Sequence, residues 1–271
     1  MPQTACRTGV TLNYEISGAG DPLLLVMGTS GSIPLWADVV PRLAEQYQVI
    51  AFDNRGLGGS ERGEGPITVA SLAEDASALL EALDVPQAHA MGWSLGSAVV
   101  QELALRHPEQ VGSAVMYATW GRCDGYQRAV ITALRLPYAV RDMEAALTAA
   151  GIAFSPQLLD HPDFEQLLAP MLPAFPQTEE QMQVTTEQWD ADLAHDTLDR
   201  LGDVTAPTLV VVGEQDLLTP PRQAQAVADA VPGARFELVT GPGSSHGMHV
   251  ERPDDLVRIV TSFLGDHPLR P

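Results

Sequence analysis

Lysine is missing from this chain: all 15 basic residues are arginine. That absence excludes Schiff-base catalysis, a lysine-bound pyridoxal cofactor and a phosphate loop of the lysine-containing kind. Positive charge is scarce in any case, because 35 acidic residues leave a formal net charge of −20. Such a field repels nucleic acid and anionic membranes, so neither is an expected partner. Cysteine is nearly absent too. Cys6 and Cys123 stand far apart, make neither a disulfide framework nor a metal cluster, and suit a reducing compartment. Long apolar runs are lacking: the longest, such as Leu23–Met27, are much too short to cross a bilayer. The first residues are polar and lack the apolar centre of a signal peptide, so a soluble, cytoplasmic protein is expected.

What the chain does have is core material. Its 271 residues are 45 % hydrophobic, enough for one large α/β domain or two small ones. Val10–Ile16 alternates like an antiparallel edge strand, and Leu23–Met27 is a continuous apolar run, the pattern of a strand covered on both faces. A helix is expected over Leu35–Tyr47, then a strand at Val49–Phe52, a glycine-rich loop at Asp53–Ser60 and an amphipathic helix over Val69–Leu83. Ala88–Met91 and Val111–Tyr117 read as strands, with a helix over Ser97–His107 between them. This alternation predicts a parallel sheet joined by right-handed crossovers.

The rhythm stops near Trp120. From Gly121 to Arg200 the chain offers helical pieces (Tyr126–Leu134, Arg141–Ala150, Thr178–Ala194) broken by prolines. An insertion of this length is too long for an ordinary loop and reads as a cap over the sheet. The rhythm resumes with a strand at Thr208–Val212, a helix at Arg222–Val231, a strand at Arg235–Val239 and a helix at Asp254–Leu264.

Between the strand Ala88–Met91 and the helix after it stands Gly92-Trp93-Ser94-Leu95-Gly96, a G-x-S-x-G pentapeptide. In a strand-turn-helix context this is a nucleophile elbow, tight enough that a Cβ at the flanking glycines would clash. A serine hydroxyl is a poor nucleophile without a histidine to take its proton and an acid to orient that histidine. In a parallel sheet such groups belong at the carboxyl ends of strands. Asp216 stands just past Thr208–Val212, and His246 follows a glycine- and serine-rich turn after Arg235–Val239. His249, three residues on, is assigned to the approach of the next helix. Asp124 also follows a strand and rivals Asp216 as the acid.

Four segments together resemble the α/β-hydrolase superfamily, of the capped esterase, lactonase and cofactor-free haloperoxidase kind. They are Leu23–Thr29 followed by Trp36, the Asp53-x-Arg55-Gly56-x-Gly58-x-Ser60 loop, the Gly92–Gly96 elbow, and the endings Gly213-Glu214-x-Asp216-x-x-x-Pro220 and His246-x-x-x-x-Glu251-x-Pro253. The resemblance implies a mostly parallel, doubly wound α/β sheet of about eight strands with a helical cap inserted after the sixth. The core would comprise residues 1–120 and 201–271, and the cap residues 121–200. It also implies a Ser94–Asp216–His246 triad and an oxyanion hole made by the backbone N–H groups of Thr29 and Leu95. The chain departs from the usual pattern at Met27-Gly28, where relatives carry His-Gly. Asp53 and Arg55 are expected to brace their loop.

The implied reaction is two-step acyl transfer to water on a small-molecule ester or lactone, neutral and fairly hydrophobic, with no metal or cofactor. Gly28, Trp93 and Trp120 are the expected substrate-binding residues, joined by some of the cap's Tyr126, Tyr138, Met143, Phe154, Phe164, Met171, Phe175, Met182 and Trp189. Two other readings stay open: non-ester chemistry on the same triad (a C–C bond hydrolase, thioesterase or perhydrolase), and a non-catalytic binding module. Whether the chain forms a homodimer also stays open.

Overall fold

The computed structural model describes residues 2–269. Eight strands build one sheet: β1 (Gln3–Ala5), β2 (Thr11–Ser17), β3 (Asp21–Val26), β4 (Tyr47–Phe52), β5 (Ala88–Trp93), β6 (Val111–Tyr117), β7 (Thr208–Gly213) and β8 (Arg235–Val239). Their spatial order is β1-β2-β4-β3-β5-β6-β7-β8. β1, β2 and β4 pair antiparallel, and every pairing from β4 across to β8 is parallel. The edge is therefore β1. The segment expected to be the edge, Val10–Ile16, lies one strand further in as β2.

Apolar residues on both faces of the central strands explain why the sheet is covered twice. Leu24, Val26, Ile50, Phe52 and Val210 join one buried cluster, and Leu23, Leu25, Val49, Ala51 and Val211 the other. Consecutive residues point to opposite faces, so a run such as Leu23-Leu24-Leu25-Val26 feeds two cores at once.

The early helices are α1 (Val40–Leu43), α2 (Val69–Ala82) and α3 (Leu95–Arg106). Between β6 and β7 come α4 (Gly125–Ala139), α5 (Met143–Ala150), α6 (Pro156–Leu159), α7 (Phe164–Leu168) and α8 (Glu179–Ala194). After β7 follow α9 (Pro221–Ala230), α10 (Met248–Glu251) and α11 (Pro253–Gly265). Residues of α2, α3 and α9 pack in the first cluster, and those of α1 and α11 in the second. The long helix expected over Leu35–Tyr47 is instead a single 3-10 turn at Ile33–Trp36 and the four-residue α1. Pro34 and Pro41 start those turns but cannot sit inside a continuous helix.

The segment from α4 to α8 contains no strand, and an isolated bridge, Arg122 to Asp196, joins the chain just before it to the chain just after it. It carries a small core of its own, with Ile131, Leu134, Tyr138, Ala146, Met182 and Trp189 packed together against Leu218 of the sheet domain. Its longer helices start where capping side chains stand: Asp124 accepts from Gln127 N, Asp142 from Ala145 N and Thr178 from Gln181 N.

Candidate active site

Ser94 sits between β5 and α3 with φ 54° and ψ −121°, a conformation that L-residues rarely adopt. Holding it there costs of order 1–3 kcal/mol, which the surrounding packing must offset. The flanking glycines are obligatory. A Cβ on Gly92 would lie 2.0 Å from Gly96 O, and a Cβ on Gly96 would lie 2.0 Å from Val26 O. The serine backbone is pinned by its N–H, which donates to Tyr117 O at 3.0 Å.

Asp216 and His246 come together from the loops after β7 and β8. His246 Nδ1 lies 2.9 Å from Asp216 Oδ2, and both side chains are almost fully buried. Because a carboxylate only accepts, Nδ1–H donates and Nε2 is left as the basic nitrogen. The acid is held rigidly: its Oδ1 accepts from Leu218 N (2.9 Å) and Thr219 N (2.8 Å), and its Oδ2 from Thr219 Oγ1 (2.8 Å). His246 is anchored through its own carbonyl, which accepts from Trp93 Nε1 at 3.0 Å and Tyr117 Oη at 2.7 Å. Asp124 is not brought here. It caps α4 and pairs with Arg222 at 2.9 Å on the surface.

Ser94 and His246 share a cavity of about 60 Å3 with Thr29, Trp93, His249 and, from the inserted helices, Tyr138, Phe154, Met171, Phe175 and Trp189. Residues that follow β3, β5, β7 and β8 thus meet the inserted segment at the carboxyl ends of the strands. Trp93 lines this cavity as expected, whereas Gly28 and Trp120 do not. Gly28 is a packing position, where a Cβ would come within 2.9 Å of the Trp93 ring. Trp120 lines a smaller adjoining space that also reaches Ser94.

Leu95 follows the serine in sequence, and Thr29 lines the same cavity. Leu95 is the first residue of α3, so its N–H is one of the helix's orphan donors. The side chain of Thr29 is committed elsewhere: Oγ1 donates to Asp192 Oδ2 of α8 at 2.6 Å. One turn back on α8, Gln188 Oε1 accepts from Ser30 N at 2.9 Å. Ser30 has φ 67°, so α8 holds a strained loop from above. Burial pushes the Asp192 carboxyl up to about 7, although the Thr29 hydroxyl pulls it back somewhat.

His249 is in α10, fully buried, with its ring 4.2 Å from that of Trp93 and 5.4 Å from that of Trp36. Burial, with a smaller contribution from His246, drives its pKa down to about 3, so it stays neutral at any working pH. Neither cysteine resembles a nucleophile: burial pushes Cys6 up to about 11 and Cys123 to about 12. Asp53 and Arg55 brace their loop. Asp53 accepts from Ile33 N, Asn13 Nδ2 and Gly59 N, and Arg55 forks onto buried Asp75 at 2.5 and 2.6 Å. Glu251 ties the histidine loop to the inserted segment through Ser245 Oγ and Ser155 N. Sequence reasoning missed Tyr117, Thr219, Gln188 and Asp192; only Tyr117, the last residue of a buried strand, stood where the strand-end rule could have found it.

The α/β-hydrolase fold family matches residues 21–253. The chain belongs to that family. It is 31 % identical over 258 residues to a protein of Azorhizobium caulinodans provisionally named carbamate hydrolase RutD, covering 94 % of this chain and 95 % of that one. It is equally 31 % identical to a Mycobacterium tuberculosis protein provisionally named non-heme bromoperoxidase BpoC, with 94 % and 97 % covered. Among solved structures, the enol-lactonase of Burkholderia xenovorans superposes with a TM-score of 0.87 at 26 % identity, over 97 % of this hydrolase and all of that chain. The chain is an enzyme of the hydrolase class. No helix among its described residues is long and apolar enough to cross a membrane.

Proposed function

We propose that this hydrolase cleaves a neutral, fairly hydrophobic carboxylic ester or lactone through an acyl-enzyme on Ser94. The observation that carries the reading is Asp216 holding the His246 ring by Nδ1 in the cavity that Ser94 lines. His246 Nε2 takes the serine proton as Oγ attacks the carbonyl carbon. The N–H groups of Thr29 and Leu95 bind the oxyanion, each supplying roughly 3 kcal/mol in the transition state. The imidazolium then protonates the departing alcohol. In the second half His246 draws a proton from water, the hydroxide attacks the acyl carbon, and Ser94 leaves with that proton restored. The inserted residues 121–200 act as the cap, and their apolar side chains set the preference for a neutral substrate.

Fluorophosphonate labelling tests the nucleophile: wild type should be labelled at Ser94 and the Ser94→Ala variant left unlabelled. A panel of p-nitrophenyl esters of graded chain length, with lactones, thioesters and carbamates beside them, tests the substrate class. The kinship with BpoC supports one further arm, peroxide-dependent bromination in acetate buffer, which would identify a perhydrolase. A folded wild-type protein that resists labelling would sink the serine mechanism and favour a binding module.

A further inference from the structure

Beside Ser94 a second space opens, separate from the apolar cavity and only about 10 Å3 in volume. Ser94, Trp120, Gln127, Trp189, Asp192 and Thr219 line it, so it lies between α4, α8 and the loop that carries the acid. Apolar carbon makes most of its surface, as in its neighbour, but several of the side chains around it carry buried polar atoms that the fold leaves unpaired. Gln127 is fully buried, and neither Oε1 nor Nε2 of its amide has a hydrogen-bond partner among the described residues. Asp192 Oδ1, Trp189 Nε1 and Trp120 Nε1 are likewise buried and unpartnered. Leaving a buried polar atom unpaired costs about 1–3 kcal/mol. Five such atoms on four side chains that line one void beside a nucleophile form a site prepared for a polar guest. Asp192 cannot swing away to find another partner, because its second oxygen is held by Thr29 Oγ1.

We infer that this chamber is a subsite for one neutral, hydroxyl-sized group on the acyl part of the substrate. The inference rests on Ser94 being the acylated residue. A group one or two bonds from the carbonyl stays beside Ser94 through both half-reactions, and the space admits a single water-sized group. Gln127 offers both a donor and an acceptor and Trp189 a donor, while Asp192 accepts as a carboxylate and donates when protonated, which suits a hydroxyl that donates and accepts. An anionic group would meet a buried carboxyl. The acyl chain is thereby sorted, with its hydroxyl among the unpaired atoms of this chamber and its apolar remainder under Tyr138 and Phe154. A water molecule has the same chemistry, and the test separates the two.

Phenyl glycolate and phenyl propionate differ by a hydroxyl in place of a methyl. The readout is the ratio of their kcat/KM values, divided by the ratio of their alkaline hydrolysis rates. Wild type should favour the glycolate at least tenfold by this measure, and Gln127→Leu should bring the value close to one. Gln127→Met supplies the same comparison if the leucine variant melts early. A corrected wild-type ratio near one, or one that Gln127→Leu leaves unaltered, overturns the inference and leaves a chamber for water only. Failure of Ser94 labelling together with no turnover of either ester would instead remove the serine reading on which the subsite depends.

Discussion

Asp192 makes the stability of this hydrolase depend on pH in a direction opposite to that of most paired carboxylates. In the folded chain burial raises its pKa from 3.8 to about 7, so folding favours the protonated form. The stability it contributes is complete below pH 4, falls as pH rises and is fully lost above about pH 7. Three units at 1.36 kcal/mol each give a swing of order 4 kcal/mol across that window. Asp192→Asn removes the titration and keeps an oxygen to accept from Thr29 Oγ1. His195, lowered to about 4 by burial, and His249 oppose folding as pH falls, but they are common to both proteins and cancel in the difference. The Cys123 thiol, 3.4 Å from the Asp192 carbonyl, stays neutral throughout because burial pushes it up to about 12. Urea unfolding of wild type and Asp192→Asn at several values between pH 4 and pH 8.5 measures the effect. The variant should gain several kcal/mol on wild type between the two ends, most of it by pH 7. Parallel curves would show that Asp192 titrates normally and that its environment is wetter than the packing implies.

Three further outcomes are expected. Asp216→Asn should lower kcat for any hydrolysed ester by several orders of magnitude while Asp124→Asn leaves it close to wild type; equal losses, measured by initial rates, would reverse the choice of acid. Gly96→Ala should abolish soluble, cooperatively melting protein, because the new Cβ meets a backbone oxygen that cannot yield; a normal melt by circular dichroism would contradict the elbow geometry. Arg55→Met leaves the buried Asp75 charge unpaired and should cost about 3–5 kcal/mol in chemical denaturation, with Arg55→Met combined with Asp75→Leu recovering much of the loss.

The sheet was legible because its strands carry their own evidence: a segment such as Leu209–Val212, apolar throughout and bounded by turn residues, has few other uses. The Ser94, Asp216 and His246 positions were legible for a related reason, since each follows such a strand. What the inserted segment contributes was not. Its helices could be placed from capping residues and period, but Gln188 and Asp192 look like any solvated pair on a polar helix. Their role depends on which face of α8 meets Ser30 and Thr29, a tertiary fact with no local signal. The failure at Leu35–Tyr47 was of the other kind: Pro34 and Pro41 were in view, and apolar spacing was allowed to outweigh them.

The two bonds from α8 to the loop after β3 also determine how the molecule can admit a ligand. A movement of α8 away from the sheet would break Gln188 from Ser30 and Asp192 from Thr29, and with them two side-chain supports of the loop after β3. The stretch of α6 and α7 differs: neither helix buries a residue, and its tie to the histidine loop is Ser155, at the start of α6, on Glu251. An opening at α8 would thus cost the loop after β3 both supports, whereas one at α7 would leave both bonds intact.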